Sequence, residues 1–168
     1  MNKNFVLILV FSIIGQVFLH TVAVKFNYIT AVKVFVPLVI LLAIFYLPLK
    51  SSFLLVALFS FFVDITNNSF FGVSLISGIV CFYLLIVWLK FFRMSVKSYF
   101  FLLVFCFSAV FNLVNQIVVV VVYHSGFSLG FWDYIKVVGV DAIIISGLFK
   151  FLSLFISSDN KKVAEEYF

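Results

Sequence analysis

Charge is what this chain has least of. Only 10% of its 168 residues are Asp, Glu, Lys or Arg, against roughly 25% in a soluble domain, and that shortage excludes a water-soluble globule. Cysteine, proline and histidine are scarce too, with two of each. Cys81 and Cys106 both fall inside apolar runs, where Cys behaves as a small hydrophobe, so neither a disulfide framework nor a metal motif is implied. His20 and His124 share no ligand spacing with a Cys or Glu, and no Ser sits in a nucleophile-elbow context. Asp64, Asp133 and Asp141 are the only acids placed to serve a lipid or glycosyl transferase, and nothing in the sequence pairs them. The expectation is a protein that is not an enzyme and carries no cofactor and no metal. A channel or proton relay needs ionisable groups through the whole membrane thickness, and half of that thickness is apolar here.

What the chain has instead is apolar surface. Hydrophobic residues make up 66% of it, with 26 Phe and a mean hydropathy of +1.34, more than a disordered chain leaves in water. The class is an all-α, polytopic integral membrane bundle. A crossing helix takes about 20 apolar residues, which leaves room for about six transmembrane helices and no soluble domain. Hydropathy places the apolar stretches at 5–24, 34–49, 53–65, 70–92, 99–123 and 134–156. The third is short, which predicts a tilted or partly embedded helix. The β-branched run 118–122 favours a strand in water, but a lone strand in hydrocarbon leaves its backbone unpaired, so it reads as helix. The first stretch resembles a signal peptide, with Thr21-Val22-Ala23 as a cleavage-like site. Five spans follow it, so an uncleaved first helix is expected.

Basic residues near the helix ends set the orientation. With the N-terminus inside, Lys3, Lys50, Lys90, Arg93, Lys97, Lys150, Lys161 and Lys162 are cytoplasmic, and Lys25, Lys33 and Lys136 are outside. Both termini are therefore expected in the cytoplasm. The net charge of +5 reads as topology and contact with the lipid bilayer, not as a nucleic-acid surface. Residues 1–168 read as a single integral membrane domain with a short cytoplasmic tail over about 157–168.

Polar side chains inside such helices are costly enough to be the first functional candidates. Ser12, Gln16 and His20 recur four residues apart and share a face, as do Ser108, Asn112 and Gln116, with Asn115 alongside. Counted from the outer helix ends at about 1.5 Å per residue, Gln16, Asn115 and Asp141 lie roughly 12–14 Å deep. They are expected to meet at one level in the outer half. Two readings stay open: interhelical hydrogen bonds that fix packing, or an outward polar pocket. Asp141 needs water, a proton of its own, or a donor such as Asn115 or His20. Its neighbours Gly139, Ala142, Ser146 and Gly147 are small enough to predict close approach of another helix.

The most specific local feature runs from Ser60 through Asp64 and Asn68 to Gly72. It reads as a helix end, a tight polar turn and a new helix start. Asn68 or Ser69 is placed to accept the orphan amides of the fourth helix, and Asp64 is close enough to that positive end to be stabilised as an anion.

This corner resembles the rod shape-determining protein MreD family, small six-helix inner-membrane proteins with a Gly-Leu-x-x-Asp segment, a short turn, and a Gly eight residues after the Asp. Asp64 and Gly72 keep that spacing. Ser60 stands where the family usually has Gly, Asn68 where a turn Gly is common, and Phe70 where Pro is common. The resemblance implies a non-catalytic subunit of the bacterial cell-elongation (rod) complex. Its partners would be an MreC-like protein and, indirectly, MreB, a RodA-like glycan polymerase and a class B penicillin-binding protein. It also implies likeness to the substrate-binding S-components of energy-coupling-factor (ECF) vitamin transporters, which supply the alternative function. The Ala-x-x-x-Ala docking groove common in their first helix is missing, since 5–24 holds only Ala23 and Gly15.

Overall fold

The structure is a computed structural model that describes residues 3–26, 34–67, 72–92, 96–124 and 131–156. Six helices lie among the described residues: α1 (Lys3–Phe26), α2 (Phe35–Tyr46), α3 (Leu49–Asn67), α4 (Val73–Phe92), α5 (Val96–Tyr123) and α6 (Phe131–Ser153). The tail at 157–168 falls outside them. Each apolar stretch of the sequence overlaps one helix. Three helices are long and apolar enough to cross a membrane, over Leu49–Thr66, Val73–Phe91 and Phe100–Val122.

Two stretches differ from expectation at their shared boundary. The second runs only to Tyr46, because Leu47 is extended (φ −128°, ψ 151°) ahead of Pro48, as the proline ring requires of the residue before it. The third is 19 residues long rather than short, since Lys50, Ser51 and Ser52 lower the hydropathy but not the helicity. Ser52 secures the corner. Its hydroxyl lies 2.8 Å from the Ala43 carbonyl oxygen and 3.1 Å from those of Leu47 and Pro48, so α3 covers the open carbonyl end of α2.

The short α2 is the axis of the bundle. It packs against all five other helices, which surround it in the order α1, α3, α4, α5, α6, and the Phe11 ring of α1 lies 6.4 Å from that of Phe151 of α6. Residues Phe35 to Ile44 are all buried. Aromatic rings seal the far end of α2, where Phe149 stacks on Phe100, Phe45 and Tyr46 at centroid distances of 4.7–6.0 Å.

The distribution of polarity is inverted relative to a protein in water. Ile14, Phe18, Tyr83, Phe91, Val121, Ile143 and Leu154 face outward, while Gln16, Ser60, Asp64, Ser77, Ser108, Asn115 and Asp141 are buried. With three helices of spanning length, this exterior marks a membrane-associated protein.

Candidate functional site

The corner between α3 and α4 is built by one carboxylate. Gly72 adopts φ +89°, a left-handed conformation that costs an L side chain roughly 1–2 kcal/mol. Its carbonyl accepts the first bond of α4, from the Ile76 amide at 2.9 Å. The next amides toward the N-terminus, of Ser74 and Leu75, donate to the two Asp64 oxygens at 2.8 and 3.0 Å. Asp64, buried eight residues upstream, thus does for α4 what an N-cap side chain does locally, with the helix dipole in its favour. The expected Asn68 and Ser69 lie outside the described residues, and the two amides are taken by Asp64.

Deeper in the bundle, a chain of contacts runs around the start of α2. Gly15 of α1 lies against the Phe35 ring, and Val36 and Ser60 both border Gly78 of α4. Ser77 accepts from Asn115 Nδ2 at 3.4 Å. One turn away, Asn112 Nδ2 lies 3.0 Å from both Asp141 Oδ2 and the Ser108 carbonyl oxygen. Gln16, which the sequence places level with Asn115 and Asp141, bonds neither of them. The donor to Asp141 is Asn112, not Asn115 or His20, because Asn115 is turned toward α4.

Tyr134 adds a further α5–α6 tie that the sequence did not single out, donating its hydroxyl to the Ala109 carbonyl oxygen. The hint was a phenol near the start of a membrane-class helix, where a shielded hydroxyl requires a partner. Gln116 is half-buried.

The small residues near Asp141 behave differently from expectation. A Cβ at Gly139 or Gly147 would meet nothing within 4 Å, so neither receives a neighbouring helix. The reason is helical geometry: two and six residues from Asp141 are about 200° and 240° around the helix, on the opposite face. Ala142, by contrast, is fully buried.

The polar set thus divides. Asn112 and Asn115 of α5 form interhelical hydrogen bonds with Asp141 of α6 and Ser77 of α4. On α1, Ser12 Oγ, both polar atoms of Gln16 and His20 Nδ1 are shielded and have no hydrogen-bond partner among the described residues, as is also true of the single hydroxyls of Ser60, Ser108 and Ser146. No cluster of three or more His, Cys, Asp or Glu forms among the described residues.

The paired half carries a measurable expectation. Asn112→Ala and Asp141→Ala should each destabilise the detergent-solubilised protein, and the double variant should be less affected than the sum by about 0.6–2 kcal/mol, the range for interhelical bonds in membranes. Strict additivity in thermal unfolding would show that the contact contributes nothing. Comparison with protein-family models, with curated proteins and with solved structures finds no match to this chain.

Proposed function

We propose that this chain is an MreD-like, non-catalytic scaffold subunit of a bacterial cell-elongation complex. It spans the inner membrane about six times with both termini cytoplasmic. An apolar helix face receives the membrane helix of an MreC-like partner and so supports lateral peptidoglycan synthesis. The observation that carries this reading is the Asp64 to Gly72 corner. The spacing that prompted the resemblance coincides with a defined device, a carboxylate capping the helix that starts after a left-handed glycine.

The test is affinity purification of the tagged protein from its own host in mild detergent, with mass spectrometry of what accompanies it. A single-span coiled-coil protein of MreC type is the expected companion, with or without the glycan polymerase. Cytoplasmic ATPases together with a second membrane subunit would instead assign it as an S-component-like capture protein. The unpaired face of α1 is the one observation that favours this second reading.

A further inference from the structure

The shielded side-chain atoms that lack a partner among the described residues concentrate on α1, which carries four of them, against single serine hydroxyls on α3, α5 and α6. Ser12, Gln16 and His20 occupy three successive turns of one face, which the bundle covers so fully that Gln16 is 0% exposed. The opposite face carries Val10, Ile14, Val17 and Phe18 outward, so a rotation of α1 that freed the amide would put these apolar side chains inside and the amide in lipid. Gly15 against Phe35 and Phe11 against Phe151 hold the helix in this setting.

Leaving a buried polar group unpaired costs about 1–3 kcal/mol, and more where hydrocarbon surrounds it. Four such atoms on one helix face outweigh the gain of about 0.6 kcal/mol from an average interhelical bond. Packing alone does not account for them.

The chemistry of the four atoms defines what satisfies them. A hydroxyl donates and accepts, a carboxamide does both twice over, and an imidazole nitrogen does one or the other according to its tautomer. None carries a fixed charge. Lys3, Lys50, Lys90, Lys136 and Lys150 are all exposed, while the described acids inside the bundle are Asp64 and Asp141. An anion would therefore find no counter-charge there.

We propose that the Ser12–Gln16–His20 face of α1 binds a small, uncharged solute bearing amide or hydroxyl groups, admitted between α1 and the α2–α3 pair from the end of the bundle at which His20 lies. This site is independent of the partner proposed above and stands whether or not an MreC-like protein is recovered.

Thiol chemistry reads it directly. Ser12→Cys, Gln16→Cys and Ile14→Cys are each placed in the full-length chain in membrane vesicles, and modification by a permanently cationic methanethiosulfonate is followed as mass added beyond the wild-type chain. Only an ionised thiol in water reacts. At least one of the two inward positions should therefore react about tenfold or more faster than Ile14→Cys, which is 64% exposed at the outer, lipid-facing surface. Acetamide or glycerol at high concentration should slow that reaction while leaving the reaction of free glutathione unchanged. Native Cys81, fully buried, is the internal reference and should stay unmodified. Ser12→Cys, nearly isosteric, carries the test if Gln16→Cys fails to accumulate. Inward rates no faster than Ile14→Cys, no protection by either solute, or parallel modification of Cys81 would each overturn the proposal.

Discussion

Replacing Asp64 by alanine is expected to destabilise the purified protein by about 2–4 kcal/mol, the scale of the two charge-assisted hydrogen bonds that make up the helix cap. For a chain of this size that is a fall in the unfolding midpoint of roughly 5–15 °C. The argument rests on what is left behind. The Ser74 and Leu75 amides sit at the start of α4 with no α4 carbonyl to bond. Water does not replace the carboxylate well where Asp64 and Ser74 are both buried. Asp64→Asn should fall between wild type and Asp64→Ala, because a carboxamide offers one accepting oxygen where the carboxylate offers two and lacks the charge that the helix end favours. Gly72→Ala should cost about 1–2 kcal/mol by a separate route, the φ of +89°. Thermal unfolding in detergent checks all three. An Asp64→Ala midpoint equal to wild type would remove the cap from the account of this corner, and with it the main support for the proposed function.

The second large effect is expected where α1 crosses α2. A Cβ on Gly15 would come within 2.6 Å of Phe35 Cε1 and closer still to the ring tip. Phe35 is buried and anchors the start of the axial helix, so the ring has nowhere to turn and the helices must separate. Gly15→Ala should therefore cost about 1–3 kcal/mol, the range for overpacking a well-filled core. Adding Phe35→Leu, which shortens the obstruction, should return part of that loss, giving a coupling that additive defects do not show.

Gly78 makes a useful contrast. A Cβ there would collide mainly with Ser60 Oγ, which has no hydrogen-bond partner and can rotate at little cost. Gly78→Ala should be the milder of the two, and Ser60→Gly should erase its effect.

These contacts also show what a sequence of this kind discloses. Hydropathy identifies six helices because hydrocarbon enforces helical backbone wherever the chain is apolar. It misjudges their ends, because it weighs side-chain polarity and not backbone geometry. One extended residue before Pro48 decides the length of α2, and three polar residues hide the first turn of α3. The Asp64 to Gly72 spacing is legible as letters, but the reason for it is not, since it depends on the sign of one backbone angle.

Depth alone cannot choose between Asn112 and Asn115 as partner of Asp141. They lie three residues apart on one helix, and only the rotation of α5 separates them. The same holds for Gly139 and Gly147, whose smallness is visible in the sequence and whose facing is not. Gln16 stands out in the sequence by being polar in an apolar helix, and the structure adds that both of its polar atoms are buried without a partner among the described residues.

The brevity of α2 has a consequence for how the protein is made. Twelve residues rise about 18 Å, little more than half the hydrocarbon thickness of about 30 Å. Such a segment has no stable transmembrane state of its own and cannot be released sideways into lipid as an independent unit during synthesis. The hairpin with α3, closed by Leu47, Pro48 and Ser52, is the smallest piece in which α2 is sheltered on one side, and the rest of its surface waits for α4, α5 and α6. The axial helix leaves the ribosome ahead of the four helices that complete its cover and is therefore among the last to reach its final environment.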